Sequence, residues 1–447
     1  MTATADNACL SCSQKKRRCD RAVPACSTCR RLGLSCIYWN GPNATFTHDT
    51  AVPYFVKSLA VQRVDAGGSM IFPVPERKEM PMLLHSCKFH IIETFGMAPL
   101  PVDKGSLAFS LRTSWASQAL SDPCSFHATL FSASAHLDAF RGESYNYVTT
   151  YHYTTAMRLI REKLALPGAM PDEKLIACIP AMVFFSSLRG DKQSSQIHRN
   201  GLMQLLRAKG GLAEFELDGF FSALIPVCVM TEAIVFASEL EIPGIEIPSI
   251  PFAPPTQLLS GALERAAQQT GYYNLSPEAV QIFKDIRLIC KTLHKPESAK
   301  TTALWRDRLR SRLTEGLCPI KTNRMDAACH AAALIFLYLL FHNEIGGPNT
   351  TMDSQLEILL QDLKIALLDT RTDTWIRSSP EALTWISLVG AAASIPASAD
   401  RIWFTLRFGQ PVMCIRSEGA SLYMDCWMLY SWVNLRRKDK ISVVEIG

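Results

Sequence analysis

Apolar residues recur at three- and four-residue spacing along most of the chain from about residue 81 onward. Leu83, Leu84, Cys87, Ile91 and Phe95 form one such stripe, the pattern of a helix with a single buried face. Asp122-Pro123 reads as an N-cap followed by proline at the first helical position. Phe126, Leu130, Phe131, Ala135 and Leu137 follow it. The same spacing predicts helices near 148–165, 172–188, 194–208, 218–238, 276–294, 323–342, 353–370 and 380–393. Leu202, Leu205 and Leu206 are core positions of the 194–208 helix, and Gly210-Gly211 behind them predicts its C-cap. Alternating strand patterns are scarce. The pattern therefore predicts a large all-α domain over 81–435, with a C-terminal tail at 436–447.

Two stretches interrupt this pattern. Residues 39–80 contain Gly41, Pro42, Pro53, Gly67, Gly68, Pro73 and Pro75, and no long periodic segment survives between them. They read as a linker. Sustained heptads are absent there, so no coiled coil is predicted. The second stretch, Pro243, Pro248, Pro251, Pro254 and Pro255, either divides the body into two helical halves or crosses its surface.

Composition narrows the class. The chain has 447 residues, 48% hydrophobic and 19% charged. It is long enough for a large core, and it is neither disordered nor collagen-like. The longest apolar run, Ala327 to Phe341, is interrupted by His330 and is shorter than the ~20 residues of a membrane span. The opening MTATADNACLSC holds no apolar run of a secretory signal. No membrane partner is expected.

Charge is unevenly placed. The net charge is +5. Between Cys9 and Cys36 stand Lys15, Lys16, Arg17, Arg18, Arg21, Arg30 and Arg31 against a single acid, Asp20. From Ile37 onward, basic and acidic residues cancel. A basic head on a neutral body suggests a polyanion-binding module.

The same head holds six of the 15 cysteines. Cys9-x2-Cys12-x6-Cys19 is repeated as Cys26-x2-Cys29-x6-Cys36, shifted by 17 residues. Each CxxC can offer two thiolates to one metal, and thiolates favour tetrahedral zinc. Two zinc ions need eight ligand positions, which six cysteines supply only if two bridge. The repeat makes Cys9 and Cys26 the natural bridges. Six thiolates and two Zn2+ ions sum to about −2, so the metallated head keeps about +4 and still attracts phosphate. So short a head cannot build its own core, and metal supplies its folding energy. A short helix from about Ser13 to Arg18 would turn its basic side chains away from the metals. Other readings of these residues are a disulfide-bonded mini-domain, a zinc-storage or protein-binding knot, and a solvated nuclear-import face. The nine remaining cysteines are scattered among apolar neighbours, which fits free thiols in a reducing compartment.

These residues resemble the fungal binuclear zinc cluster transcription factors. Ala8-Cys9-x-x-Cys12, Lys15-Lys16-x-Arg18-Cys19-Asp20, Pro24-x-Cys26-x-x-Cys29 and Cys36-x-Tyr38 carry the likeness. It implies a DNA-binding domain over 1–38, with two zinc ions and two short helices, that reads CGG-type sites in double-stranded DNA in the nucleus. Lys16, with Lys15 beside it, falls on the base-reading position. Arg18 and the second-half arginines then become phosphate contacts. Ser13 departs from the family's usual arginine and removes one backbone contact.

The body resembles the fungal-specific transcription factor domain through His198-x-x-Gly201-Leu202-x-x-Leu205-Leu206 and Gly210-Gly211. The likeness implies a regulatory role and contact with the transcription machinery or co-regulators at RNA polymerase II genes. Control of a specialised-metabolism gene cluster lies within that family's range. No GxSxG, P-loop, HExxH or GxGxxG motif is present, so no enzyme is expected. His152, His198, His330 and His342 read as structural histidines, and no residue set identifies a small-molecule effector. Binding as a monomer, or as a dimer through the helical body, is expected. The alternative function is a zinc-containing co-regulator that makes protein contacts without touching DNA.

Overall fold

A computed structural model describes Cys12 and residues 17–21 and 26–32 of the head. It describes scattered positions between 73 and 83, and the body from 104 to 444 apart from 120, 142, 167–171, 216–219, 252, 269–274, 294–298, 316–323, 346–351 and 417–419. The chain divides into two compact units, one holding the head and one holding the body.

The body is helical. Among the described residues its only β pairing is an isolated bridge between Ile242 and Ile245. After α1 of the head (Ser27–Arg31) come α2 (Pro123–Arg141), α3 (Tyr147–Leu164), α4 (Glu173–Leu188), α5 (Lys192–Ala208) and α6 (Phe220–Phe236). A short helical run with a π turn at Leu111–Trp115 precedes α2. Then follow α7 (Gln257–Gln268), α8 (Pro277–Leu293), α9 (Ala299–Glu315), α10 (Arg324–Ile345) and α11 (Met352–Leu368). The last four are α12 (Thr372–Ser378), α13 (Pro380–Ala393), α14 (Ala399–Val412) and α15 (Ser421–Val444). The predicted helices match α2–α6, α8, α10, α11 and α13 within a few residues. The stripe at 83–95 lies outside the described residues, except that Leu83 is helical.

Local chemistry sets the ends. Asp122 Oδ2 accepts from Ser125 N at 2.8 Å and caps α2 ahead of Pro123. Lys163 Nζ of α3 donates to the other oxygen at 2.6 Å. Asn146 caps α3, Asp172 caps α4 and Asp191 caps α5. At the end of α5, Gly211 N reaches Leu206 O at 2.9 Å and Gly210 N reaches Arg207 O at 3.1 Å. This is a Schellman motif with Gly210 at φ +95°. Gly211 then lies against Gly244, and Leu212 N donates to Pro243 O at 2.9 Å. A β-carbon on Gly244 would sit 2.9 Å from Leu212 N, so only glycine fits there.

One large core, with two small clusters beside it, spans the body. It runs from Leu107 to Val433 without a break at the proline-rich stretch. The division into two halves is therefore set aside: α6, before that stretch, packs on α4 and also on α14 and α15 after it. Every residue of α13 is buried, as befits a helix enclosed on all sides. Gly390 lets α13 approach α14, for a β-carbon there would meet the Phe404 ring at 2.6 Å.

A buried arginine ties the centre together. Arg401 of α14 is fully buried, and uncharged oxygens hold its guanidinium. It donates to Ser394 O at 3.1 Å, Ala392 O at 3.2 Å and Ile234 O at 3.3 Å. Tyr430 Oη and Asn434 Oδ1 of α15 accept at 2.9 and 3.1 Å. The carbonyls lie at the C-terminal ends of α6 and α13, where helix dipoles favour a cation.

Two predicted boundaries move. Met80 and Leu83 are buried against Phe126 and Leu130 of α2, with Val74 packed beside them, so body packing begins inside the predicted 39–80 linker. At the other end, α15 runs through residue 435, and Arg437 is buried in it. Residues 436–444 thus continue α15 and do not form a separate tail.

Candidate metal centre and nucleic-acid interface

In the head, Cys12, Cys26 and Cys29 are buried while Arg17, Arg18, Arg21, Arg30 and Arg31 are exposed. Sulfur faces inward and guanidinium faces solvent. Cys12 Sγ lies 3.7 Å from Cys26 Sγ and 3.9 Å from Cys29 Sγ. A tetrahedron with Zn–S of ~2.3 Å has sulfur–sulfur edges of about 3.8 Å, whereas a disulfide needs ~2.0 Å. The donor spacing therefore fits a shared thiolate metal site, and none of the three is disulfide-bonded.

Cys26 belongs to two groups of potential ligands. One is Cys12, Cys26 and Cys29; the other is Cys19, Asp20 and Cys26, and in each the ligating atoms lie within 4.8 Å of one another. Cys26 also caps α1, its Sγ accepting from Cys29 N at 3.3 Å. A backbone N–H at a helix start stabilises a thiolate there. Cys9, Cys36, Lys15 and Lys16 lie outside the described residues.

The predicted helix from Ser13 to Arg18 needs correction at its end. Cys12 is helical, but residues 17–21 are not. Arg17 N still donates to Cys12 O at 2.8 Å. Beyond them, two contacts, made of three hydrogen bonds, join the halves of the head. Ser27 N donates to Asp20 Oδ1 at 3.0 Å and Oδ2 at 3.2 Å, and Thr28 Oγ1 donates to Arg18 O at 2.8 Å. Neither Asp20 nor Thr28 was singled out by spacing. The signals for Asp20 were its isolation as the head's one acid and its place at the end of Lys15-Lys16-x-Arg18-Cys19-Asp20.

The chain matches two family models. Residues 7–44 match the fungal Zn(2)-Cys(6) binuclear cluster domain, and residues 112–238 match the fungal specific transcription factor domain. Both are transcription-regulator domains, not enzyme domains. The zinc cluster match encloses the buried sulfurs, and the transcription factor match covers α2 to α6. A depudecin biosynthesis cluster-specific transcription activator of Fusarium langsethiae is 54% identical over 35 residues. That stretch is 8% of this chain and 6% of the relative. No solved structure matches the chain.

Several histidines of the body are engaged internally. His198 Nε2 lies 2.8 Å from Tyr153 Oη. Burial holds its imidazole below the ordinary pKa in spite of nearby Asp191. His152 Nδ1 lies 2.9 Å from His127 Nδ1, and His330 Nε2 lies 2.6 Å from Leu313 O. The His342 side chain lies outside the described residues. No helix among the described residues is long and apolar enough to cross a membrane.

Proposed function

We propose that the chain is a nuclear, zinc-dependent, sequence-specific DNA-binding transcription regulator. Cys9, Cys12, Cys19, Cys26, Cys29 and Cys36 would hold two zinc ions. The carrying observation is the buried sulfur cluster at tetrahedral spacing beneath five exposed arginines. When bound, zinc fixes the fold of the head and leaves it cationic. Lys16 and Lys15 donate to guanine O6 and N7 of a CGG-type site. Arg17, Arg18, Arg21, Arg30 and Arg31 neutralise phosphates and make affinity salt-dependent. The body restrains or directs the head through transcription-machinery partners at RNA polymerase II genes. The relative's printed role supports control of a specialised-metabolism gene cluster.

Selection from random duplex DNA by the full-length protein, with zinc and after chelation, tests this reading. Enrichment of CGG triplets only with zinc is expected, and their spacing reports monomer or dimer. No enrichment from a protein that still holds two zincs would replace it with the protein-interaction co-regulator.

A further inference from the structure

Asp20 stands alone as an acid between Cys9 and Cys36, against seven basic residues. A carboxylate in a phosphate-binding head opposes its ligand by simple Coulomb repulsion. Its bonds account for its presence. Both oxygens accept from Ser27 N in the first turn of α1. One residue on in sequence from Ser27, Thr28 Oγ1 holds Arg18 O. These contacts join the segment 17–21 to the helix 27–31 and involve no sulfur. Arg21, directly after Asp20, has φ +58°, a left-handed conformation that a long side chain keeps only when its surroundings enforce it.

Metal ligation alone leaves a freedom that these contacts remove. Thiolates fix distances at the ends of side chains, and the angle between two backbone segments still has to be set. On one side of the contacts lie Arg17 and Arg18, following Lys15 and Lys16; on the other lie Arg30 and Arg31. We propose that Asp20 and Thr28 form a metal-independent clasp that sets this angle, so that base-reading and phosphate-binding residues engage DNA together. Both are positioning residues, and the inference rests on the DNA-binding reading above.

The test uses full-length protein, a duplex carrying the selected site, zinc content per chain, and affinity across a salt series. Asp20→Ala keeps its zinc, binds about five- to tenfold more weakly and loses about one unit of the log–log salt slope. It does so although it has lost a negative charge. Asp20→Asn keeps an acceptor, sheds the charge and binds at least as tightly as wild type. Thr28→Val, which changes no charge, weakens binding with zinc intact, and Thr28→Ser restores it.

Equal or tighter binding by Asp20→Ala would show that Asp20 is only a surface charge and overturn the clasp. Loss of zinc from Asp20→Ala would overturn it too, by making Asp20 a metal ligand beside Cys19 and Cys26. Wild-type protein that binds no duplex sinks the DNA reading itself, a separate outcome.

Discussion

Among the described residues of the head, the buried groups are thiols, Cys12, Cys26 and Cys29, and they cluster with one another and with Cys19. In the body, the largest buried side chains are mostly rings, among them Trp375, Trp385, Tyr423, Phe336, Phe404 and Phe408. A short segment has too little apolar surface to offset its chain entropy, so it relies on a ligand. A long helical body offsets that entropy with carbon, and uses polar devices where helix ends meet inside the core. Arg401 is such a device. Two regions held by such different forces should fail independently and by different agents.

Chelation should separate them most sharply. Structural zinc supplies roughly 10–16 kcal/mol in small zinc-folded peptides. Chelator, or Cys26→Ala, should therefore unfold the head and abolish DNA binding while leaving helical circular dichroism and the body's melting transition in place. A body transition that moves with zinc would show that the two regions are coupled.

Arg401→Met should do the reverse. It strands the carbonyls of Ala392 and Ser394 in the core, while Ile234 O keeps its bond from Tyr430 Oη, and should cost about 2–6 kcal/mol, at ~1–3 per unpaired buried group. Chemical denaturation reads the loss, and zinc content should stay unchanged. Gly390→Ala, which drives a methyl into Phe404, should cost about 1–3 kcal/mol by the same assay.

A smaller effect sits at Asp122. Burial raises its pKa, but Lys163 and the Ser125 bonds outweigh this and hold it below its ordinary 3.8. A depressed folded pKa stabilises the body above the unfolded value, and that stability fades as pH falls through the folded one. Asp122→Asn should cost about 1 kcal/mol near neutral pH and nothing well below pH 3. Paired denaturation curves at the two pH values decide it; an acid-independent difference would show that the charge is idle.

The smallest effect is expected in the head. Ser13→Arg should restore a phosphate contact and steepen the salt slope by about one unit. An unchanged slope would remove Ser13 from the interface.

Helices with a one-sided stripe were readable from sequence, as α3, α5 and α8 show. Among the missed ones, α7 carries such a stripe, with Leu258, Leu259 and Ala262 buried, whereas α9 and α15 lack it. In α9, charged residues crowd Trp305, Leu309 and Leu313, and in α15 the apolar residues face several neighbours, leaving no single stripe. Head chemistry was readable because cysteine spacing and charge are properties of the chain itself. The clasp was not, because Asp20–Ser27 and Thr28–Arg18 depend on how two segments fold back on each other.

The positions of the thiols, the positive charge and the helix caps are thus written in the chain, because covalent spacing and hydrogen bonds to near neighbours settle them. It takes the folded arrangement to carry one large core across the proline-rich stretch and to close that core with Arg401. Arg401 meets a carbonyl 167 residues away, and a contact of that range is chosen by helix packing, where no local pattern records the partner.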